Sequence, residues 1–557
     1  MSHNIKNIIR IVLLFALLLL PICYALFVAI DLEYSWLKKI AYLAIVIIML
    51  LIPALFLKAR TYFIVEGVFN FLFFPIDIAS LYLNKQSTST AFLSNIFHTD
   101  MHEAVELLVS MWPACILVVT LWILYFILAT RVENEYLLSP FFRKIIYISF
   151  PMAIVIGFFA MVIFLKQVHN ERSDSNTISD AIGLVWMKLY KIYPYNLYLE
   201  TTDIIRSSYQ QNRFQKKVVS FHFGINKKEY DYPAIYVLVI GETARYDHFG
   251  INGYERNTTP LLAKRRNLIS YDSAFSQANL TSYSVPLILS RATAREQERA
   301  YQEKSLPEAF QEAGFKAGFI TKQIPFLFTE RIMTACDYSY SYAKNIDVTD
   351  NYDEEMITAL SEMNNDSLQM FVLHSLGCHF RYELRYPKSF AVYQPTLGSS
   401  FSYSMISEEN KDMLVNAYDN AILYTDYFLD SLIQYLDNLN RPAVMMYMSD
   451  HGESFWDDER KLSLHGSYQI SKNEYHVPFL IWYSDEYANV NADKVNAMSQ
   501  NKTTPVSSDV VFYSLLDAAG IDDIIDSTRS ICSSCLVRQD SIWVVTGSGA
   551  VEPMPVP

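Results

Sequence analysis

The stretch AIYVLVIGE (residues 234–242) begins with an unbroken apolar run rich in β-branched residues and ends with Gly241 and Glu242. A short apolar run of this kind predicts a strand that is buried on both faces of a sheet. Similar runs recur further along the chain as KAGFIT (316–321), LQMFVLH (368–374), AVMMYMS (443–449) and VPFLIWY (477–483). We interpret all five as buried parallel strands.

Amphipathic helical patterns lie between these runs. They are SLPEAFQEAG (305–314), NAYDNAILYTDYFLDSLIQYLDNL (416–439) and SDVVFYSLLDAAG (508–520). Strands that alternate with helices predict an α/β domain with a mostly parallel sheet, which we place at residues 231–557. Folds of this class bind their ligands at the carboxyl ends of the strands.

Acids and histidines follow several of the predicted strands directly. Glu242 follows the first strand, His374 and His379 follow the third, Asp450 and His451 follow the fourth, and His465 lies in a later LHG. A single such residue is more often an ordinary loop residue. Several of them at one edge of a sheet favour a metal site, and carboxylates mixed with imidazoles suit zinc or manganese.

A nucleophile candidate lies in SQANLTSYSVPLILS (276–290). A polar loop there leads into a predicted helix, so Thr281 would stand at a helix amino terminus, where free N–H groups favour a phosphate. A divalent cation would lower the pKa of the threonine hydroxyl and make it a competent nucleophile. The alternative is that Thr281 or Ser282 only caps the helix.

The first third of the chain has a different composition. The whole chain is 52% hydrophobic and only 18% charged, with a mean hydropathy of +0.13. Five apolar stretches, each of a length that could cross a bilayer, fall within residues 1–166, and the third is interrupted by Glu66 and Asp77. We therefore predict a five-helix transmembrane domain at 1–166 and a linker with interfacial helices at 167–230.

Basic residues are concentrated at the amino terminus and in the second and fourth loops, which predicts a cytoplasmic amino terminus and an outer, periplasmic catalytic domain. These residues are Lys6, Arg10, Lys58, Arg60, Arg131, Arg143 and Lys144. The net charge of −13 argues against nucleic acid as a partner. In an oxidising compartment, Cys532 and Cys535 could form a tight disulfide.

Four motifs together resemble the bacterial phosphoethanolamine transferases, inner-membrane enzymes of the alkaline phosphatase/sulfatase superfamily that include the colistin-resistance type. The motifs are GETARYDHFGINGYERNTTP (241–260), TSYSVP (281–286), LHSLGCHFRYELRYP (373–387), and SDHGES with its later LHG (449–466). The resemblance implies a catalytic Zn²⁺ held by Glu242, Thr281, Asp450 and His451. It also implies that Thr281 is the nucleophile and that His379 and His465 are catalytic or bind the phosphate or a second zinc.

The resemblance further implies the substrates. Phosphatidylethanolamine would be the donor and lipopolysaccharide, at lipid A or the core, the acceptor, with a phosphoethanolamine–threonine intermediate. Asn95, Thr99 and Glu103 fall at i, i+4 and i+8 of a loop helix and would contact the donor head group. We expect a monomeric, multi-pass inner-membrane enzyme whose product makes the cell surface less negative and so weakens the binding of cationic peptides.

The chain departs from the family at one pair of positions. Cysteines that commonly flank the nucleophile are replaced here by Gln277 and Leu287. Three alternatives remain open. They are a glycerophosphate transferase of the lipoteichoic acid synthase type, a sulfatase or phosphatase that uses water, and an inactive scaffold.

Overall fold

The computed structural model describes residues 3–24, 36–84, 93, 112–148, 152, 197–199, 201–202, 205, 218–227, 232–342, 352–365, 367–398 and 405–556. The chain divides into two compact units. The amino-terminal unit includes Met1–Phe97 and Val105–Arg206, and the carboxyl-terminal unit includes Ser207–Pro557.

The described part of the amino-terminal unit is mostly helical. Its helices are α1 (His3–Tyr24), α2 (Trp36–Leu51), α3 (Ala59–Asn84) and α4 (Trp112–Thr130), and residues 140–148 are also helical. The four named helices coincide with the first four apolar stretches of the sequence. Among the described residues, none of the helices combines the length and the apolar character that a membrane crossing requires.

Two arginines of this unit bind the same short segment. Arg10 donates to the carbonyl of Arg131 at 2.8 Å, and Arg60 donates to the carbonyl of Val132 at 2.9 Å. These bonds join the amino-terminal halves of α1 and α3 to the segment that follows α4. Inside the unit, Glu66 is buried and accepts a hydrogen bond from Asn70 at 3.2 Å, so this acid faces protein.

A seven-stranded sheet organises the carboxyl-terminal unit. Its strands, in spatial order, are β2 (Leu268–Ser270), β10 (Phe479–Tyr483), β7 (Ala443–Ser449), β1 (Ile235–Gly241), β6 (Gln369–His374), β4 (Lys316–Thr321) and β5 (Tyr338–Ser341). Smaller pairings join β3 (Ala274–Phe275) to β11 (Val506–Ser507), β8 (Ser454–Phe455) to β9 (Ser463–Leu464), and β12 (Ser541–Val545) to β13 (Val551–Pro555).

The helices of this unit cover both faces of the sheet. They are α5 (Thr281–Ile288), α6 (Leu306–Glu312), α7 (Leu327–Ala335), α8 (Glu355–Met363), α9 (Lys411–Asp437), α10 (Lys472–Tyr475), α11 (Asp485–Val490), α12 (Ala492–Gln500) and α13 (Val510–Ala518). Alternate residues of β1 enter opposite cores: Leu238 packs on the side of α13, and Val239 packs on the side of α9. The sequence predicted this α/β architecture correctly.

One expectation needs correction, and one question that the sequence left open is answered. The run VPFLIWY forms β10, which pairs antiparallel with β7, so it is not one of the parallel strands. An apolar run shows that a strand is buried but carries no information about its direction. Cys532 and Cys535 are both free, the first buried and the second exposed, so the structure contains no disulfide between them.

Candidate active site

Strand register places the two candidate acids side by side. Strands β1 and β7 are parallel neighbours, and Gly241 pairs with Ser449 at their carboxyl ends. Glu242 and Asp450 are the first residues after these strands, and the N–H of Asp450 donates to the carbonyl of Gly241 at 2.9 Å. The carboxyl edge of the sheet therefore presents adjacent carboxylates, as the sequence predicted.

His451 completes a compact cluster with these acids. Its Nε2 lies 3.6 Å from Oε1 of Glu242 and 3.5 Å from Oδ2 of Asp450, and one ligand atom from each residue lies within 4.8 Å of the others. All three side chains are fully buried. Nδ1 of His451 lies 2.9 Å from the carbonyl of Gly452, which fixes the tautomer that leaves Nε2 free to bind a metal.

Thr281 is brought to the same point by a separate segment. It is the first residue of α5, and its Oγ1 lies 3.2 Å from Oε2 of Glu242 and 3.3 Å from Nε2 of His451. The amino terminus of α5 adds a positive helix-dipole end beside the hydroxyl. This position suits a nucleophile that must carry a phosphoryl group.

Thr243 holds both carboxylates, and the sequence analysis did not single it out. Its hydroxyl donates to Oε1 of Glu242 at 2.6 Å, and its N–H donates to Oδ1 of Asp450 at 3.1 Å. Its φ of 58° lies in the left-handed region, which is unfavourable for a β-branched residue. Strain of this kind is typical of residues whose position is imposed by a functional site. Only the tertiary structure reveals this conformation of Thr243 and its contacts with the two acids.

Gln323 is a second contact that the sequence analysis missed. It follows β4 closely, and its Nε2 donates to Oε2 of Glu242 at 2.6 Å and to the carbonyl of Ser375 at 3.0 Å. It therefore ties the acid to the loop after β6. The position of Gln323 just beyond the end of β4 could have indicated this contact, but glutamine is also common at such positions in ordinary loops.

The donor set fits a divalent cation. Burial, followed by repulsion from Glu242, raises the pKa of Asp450 well above its usual value. Burial opposes the ionisation of Glu242, but His451 and other neighbours lower its pKa to about 2. Oδ2 of Asp450 is buried and has no hydrogen-bond partner among the described residues. A cation would offset the repulsion and bind this oxygen, as expected for a zinc-type site of imidazole and carboxylate ligands.

His465 lies beside this cluster. Its ring centroid is 4.2 Å from that of His451, and its Nδ1 lies 3.2 Å from Oε1 of Glu453. Although burial disfavours its charged form, Glu453 raises the pKa of His465 to about 9. The hydroxyl of Tyr382 donates to Oε2 of Glu453 at 2.8 Å, so this acid is held from both sides.

The loop after β6 carries the remaining predicted histidines. His374 ends β6 and is buried, and burial lowers its pKa to about 4. It is outside the three-residue cluster. His379 is half-buried and contributes to the low pKa of Glu242 through its charge. Asp353 holds this loop by accepting hydrogen bonds from the N–H groups of Leu376 and Gly377, both at 2.9 Å.

The predicted donor-binding residues Asn95, Thr99 and Glu103 lie outside the described residues. Their assignment remains a prediction, as do the roles of Thr281, His379 and His465. The structure brings Glu242, Thr281, Asp450 and His451 to one point, which is the geometry that the metal prediction requires.

Comparison with known proteins places the carboxyl-terminal unit in a family. Residues 234–521 match the sulfatase family model. The phosphoethanolamine transferase EptA of Helicobacter pylori is 33% identical over 294 residues, which are 50% of this chain and 52% of that protein. The chain thus spans about half the length of the curated relatives it matches. The resemblance inferred from the motifs is confirmed.

Solved structures share the fold. The integral membrane lipooligosaccharide phosphoethanolamine transferase A from Neisseria meningitidis superposes with a TM-score of 0.65 at 20% identity, covering 93% of this chain and 98% of that chain. The periplasmic domain of EptC from Escherichia coli in complex with zinc gives a TM-score of 0.51 at 23% identity, covering 59% of this chain and 94% of that one. The family model covers more than half of the chain, which therefore belongs to the sulfatase family.

Proposed function

We propose that this protein transfers phosphoethanolamine from phosphatidylethanolamine to lipopolysaccharide through a covalent intermediate on Thr281. The observation that carries the proposal is the position of the Thr281 hydroxyl, 3.2 Å from Glu242 and 3.3 Å from His451 within a buried metal-type cluster. Similarity to proteins named phosphoethanolamine transferases supports the choice of the transferred group. The acceptor class follows the name of the Neisseria protein, which acts on lipooligosaccharide.

Zinc would be held by Glu242, Asp450, His451 and Thr281, where it would neutralise charge on the phosphoryl group and lower the pKa of the threonine hydroxyl. These side chains come from three separate segments, after β1, after β7 and at the start of α5. Thr243 and Gln323 orient Glu242 for this task through their hydrogen bonds.

In the first step, Oγ1 of Thr281 attacks the phosphorus of the donor. The new Oγ1–P bond forms as the P–O bond to diacylglycerol breaks, and the proton lost by the threonine is balanced by one gained by the diacylglycerol oxygen. His465 would deliver that proton, a role supported by the contact of its ring with Glu453 and its position beside His451.

In the second step, an oxygen of the acceptor attacks the same phosphorus. The acceptor O–P bond forms, the Oγ1–P bond breaks, and Thr281 regains a proton. His379 or His465 would accept the proton that an acceptor hydroxyl loses. Positioning and charge neutralisation supply most of the catalysis in phosphoryl transfer.

The lipid donor implies that the amino-terminal unit lies in a membrane. Its helices expose large apolar side chains: Val12 is 61% exposed on α1, and Leu117 is 60% exposed on α4. Water-soluble surfaces rarely expose extended apolar patches. Arg10 and Arg60, which bind the same short segment, support the cytoplasmic end that the sequence predicted.

The test uses the full-length protein in detergent–lipid micelles with phosphatidylethanolamine labelled in its head group. Wild type is expected to acquire label on the peptide that contains Thr281. Thr281→Ala is expected to acquire none, and to keep zinc through the other three ligands, Glu242, Asp450 and His451. Thr358→Ala serves as a matched control, because Thr358 is exposed on α8.

Label on Thr281→Ala equal to wild type would contradict the proposal. A glycerophosphate adduct on Thr281 when phosphatidylglycerol is supplied as the donor, with no adduct from phosphatidylethanolamine, would instead indicate the lipoteichoic acid synthase type of reaction. Release of free phosphoethanolamine to water, without transfer to added lipopolysaccharide, would indicate a hydrolase.

A further inference from the structure

A polar cavity lies in the carboxyl-terminal unit, apart from the candidate metal ligands. Its volume is about 680 Å³, and neither Thr281 nor any residue of the metal-type cluster lines it. Its walls come from the segment before α5, the segment before α13, and strand β12. The volume falls within the range of small-molecule sites, roughly 300–1,000 Å³.

Gln277 lies in the wall of this cavity and carries an unsatisfied donor. The residue is only 3% exposed, and its Nε2 has no hydrogen-bond partner among the described residues. Its Oε1 accepts a hydrogen bond from the N–H of Ala294 at 2.7 Å, which fixes the orientation of the amide. Buried donors without partners are rare in folded proteins, so the amide of Gln277 is a polar group of the cavity wall with spare hydrogen-bonding capacity.

The charges that line the cavity are largely balanced. Arg529 donates to Oδ2 of Asp509 at 2.8 Å, so these two groups neutralise each other. Arg295 and Glu296 contribute one charge of each sign. A strongly anionic or cationic ligand would therefore gain little here, whereas a neutral ligand with many hydroxyl groups could pair with both donors and acceptors.

Trp543 supplies an aromatic surface at the cavity wall. It is 37% exposed on β12, and the guanidinium carbon of Arg295 lies 5.0 Å from its ring centroid. An indole offers an apolar face on which the C–H face of a sugar ring can pack, while nearby polar groups bind the hydroxyls. Hydroxyls of Ser507, Ser541 and Thr293 line the same space.

We propose that this cavity is a carbohydrate-binding subsite that holds a sugar of the acceptor glycan, an assignment that rests on the proposed function. Gln277 connects the subsite to the nucleophile, because it lies in the same short segment as Thr281. Its backbone is fixed by bonds from Val545 at 2.8 Å and to Ser508 at 3.2 Å. A glycan bound here is held by the same rigid segment that positions Thr281.

The experiment measures binding of fully deacylated lipopolysaccharide oligosaccharide to the full-length protein by ligand-observed saturation-transfer NMR. It is done in the Thr281→Ala background, so that binding is read without transfer. Trp543→Ala is expected to weaken binding by about tenfold or more. Arg295→Ala, a change at an exposed position, is expected to weaken it several-fold and decides the matter if the tryptophan variant misfolds.

Tyr427→Ala is the matched control, because Tyr427 is an aromatic residue of the same unit with a similar exposure of 38%. It is expected to bind the oligosaccharide as the parent protein does. The subsite is wrong if both cavity variants bind like this control.

The outcomes separate the subsite from the proposed function. Binding that depends on Trp543 in a protein that transfers no phosphoethanolamine would support the subsite and overturn the function. If the wild-type protein transfers phosphoethanolamine to lipopolysaccharide, but Trp543→Ala and Arg295→Ala bind the oligosaccharide as tightly as the parent protein, the function is supported and the subsite is overturned.

Discussion

The hydroxyl of Thr243 donates a 2.6 Å hydrogen bond to Oε1 of Glu242, the residue that precedes it in the chain. The bond joins a residue in a strained left-handed conformation to a buried carboxylate of the candidate metal cluster. The N–H of Thr243 also donates to Asp450, so one residue orients both acids of the cluster. Contacts of this kind behind metal ligands fix ligand orientation and tune affinity.

Thr243→Ala is therefore expected to weaken zinc binding by roughly 10–100-fold, the usual effect of removing such a contact. Thr243→Ser, which keeps the hydroxyl, is expected to retain most of the affinity. Competition against a chelator of known strength, with the purified full-length protein, gives the measurement. Equal affinities for Thr243→Ala and wild type would show that Thr243 has no orienting role.

Removal of metal is expected to lower both the activity and the thermal stability of the carboxyl-terminal unit. Glu242 and Asp450 are fully buried neighbours, and without a cation their like charges repel each other. Chelation followed by a thermal melt tests this, and added zinc should restore both properties. A chelated protein that melts at the same temperature and still transfers would argue against a metal at this site.

Gly377→Ala is expected to damage the site more than Gly398→Ala, although both glycines have positive φ, 46° and 64°. A Cβ at Gly377 would lie 2.9 Å from the carbonyl oxygen of Glu242, whereas a Cβ at Gly398 would meet nothing within 4 Å. Both variants add backbone strain, and only the first also displaces Glu242. Melting temperature and zinc content of the two variants provide the comparison, and equal losses would contradict it.

His476 is expected to make stability depend on pH. Its ring stacks between Tyr246, at a centroid distance of 4.2 Å, and Phe275, at 4.7 Å, and burial lowers its pKa to about 4. The unfolded chain takes up this proton near the usual histidine pKa of about 6.5, so the stabilisation is complete above that pH and is lost as the pH falls towards 4.

The loss from this single group reaches about 3 kcal/mol across that window. The free energy of unfolding of His476→Phe should therefore fall less than that of wild type between pH 7 and pH 4, since phenylalanine keeps the stacking but cannot be protonated. Parallel pH dependences for the two proteins would show that His476 does not titrate in this way.

Strand β10 shows that an apolar pattern predicts the burial of a strand but not its direction. VPFLIWY was correctly interpreted as a buried strand, because every residue of β10 is buried. Its direction was wrong, because direction depends on how the connecting segment 450–478 returns to the sheet. That segment carries His451 and His465. The connection that makes β10 antiparallel to β7 therefore also supplies part of the candidate active site.

The contacts of Thr243, Gln323 and Gln277 could not be predicted for a different reason. Each depends on atoms that are distant in sequence, such as Asp450 for Thr243 and Ala294 for Gln277. Neither a left-handed threonine nor an unpaired buried amide leaves a periodic signal in the sequence.

By itself, the sequence determined the alternation of strands and helices and placed Glu242, Asp450 and His451 just beyond strand ends, because local hydrophobic periodicity reports burial and element type. Only the tertiary structure decided that β1 and β7 are neighbours in register and that Thr281 reaches the same point. Strand order and the convergence of loops depend on packing between segments that are distant in sequence, and no local pattern encodes that packing.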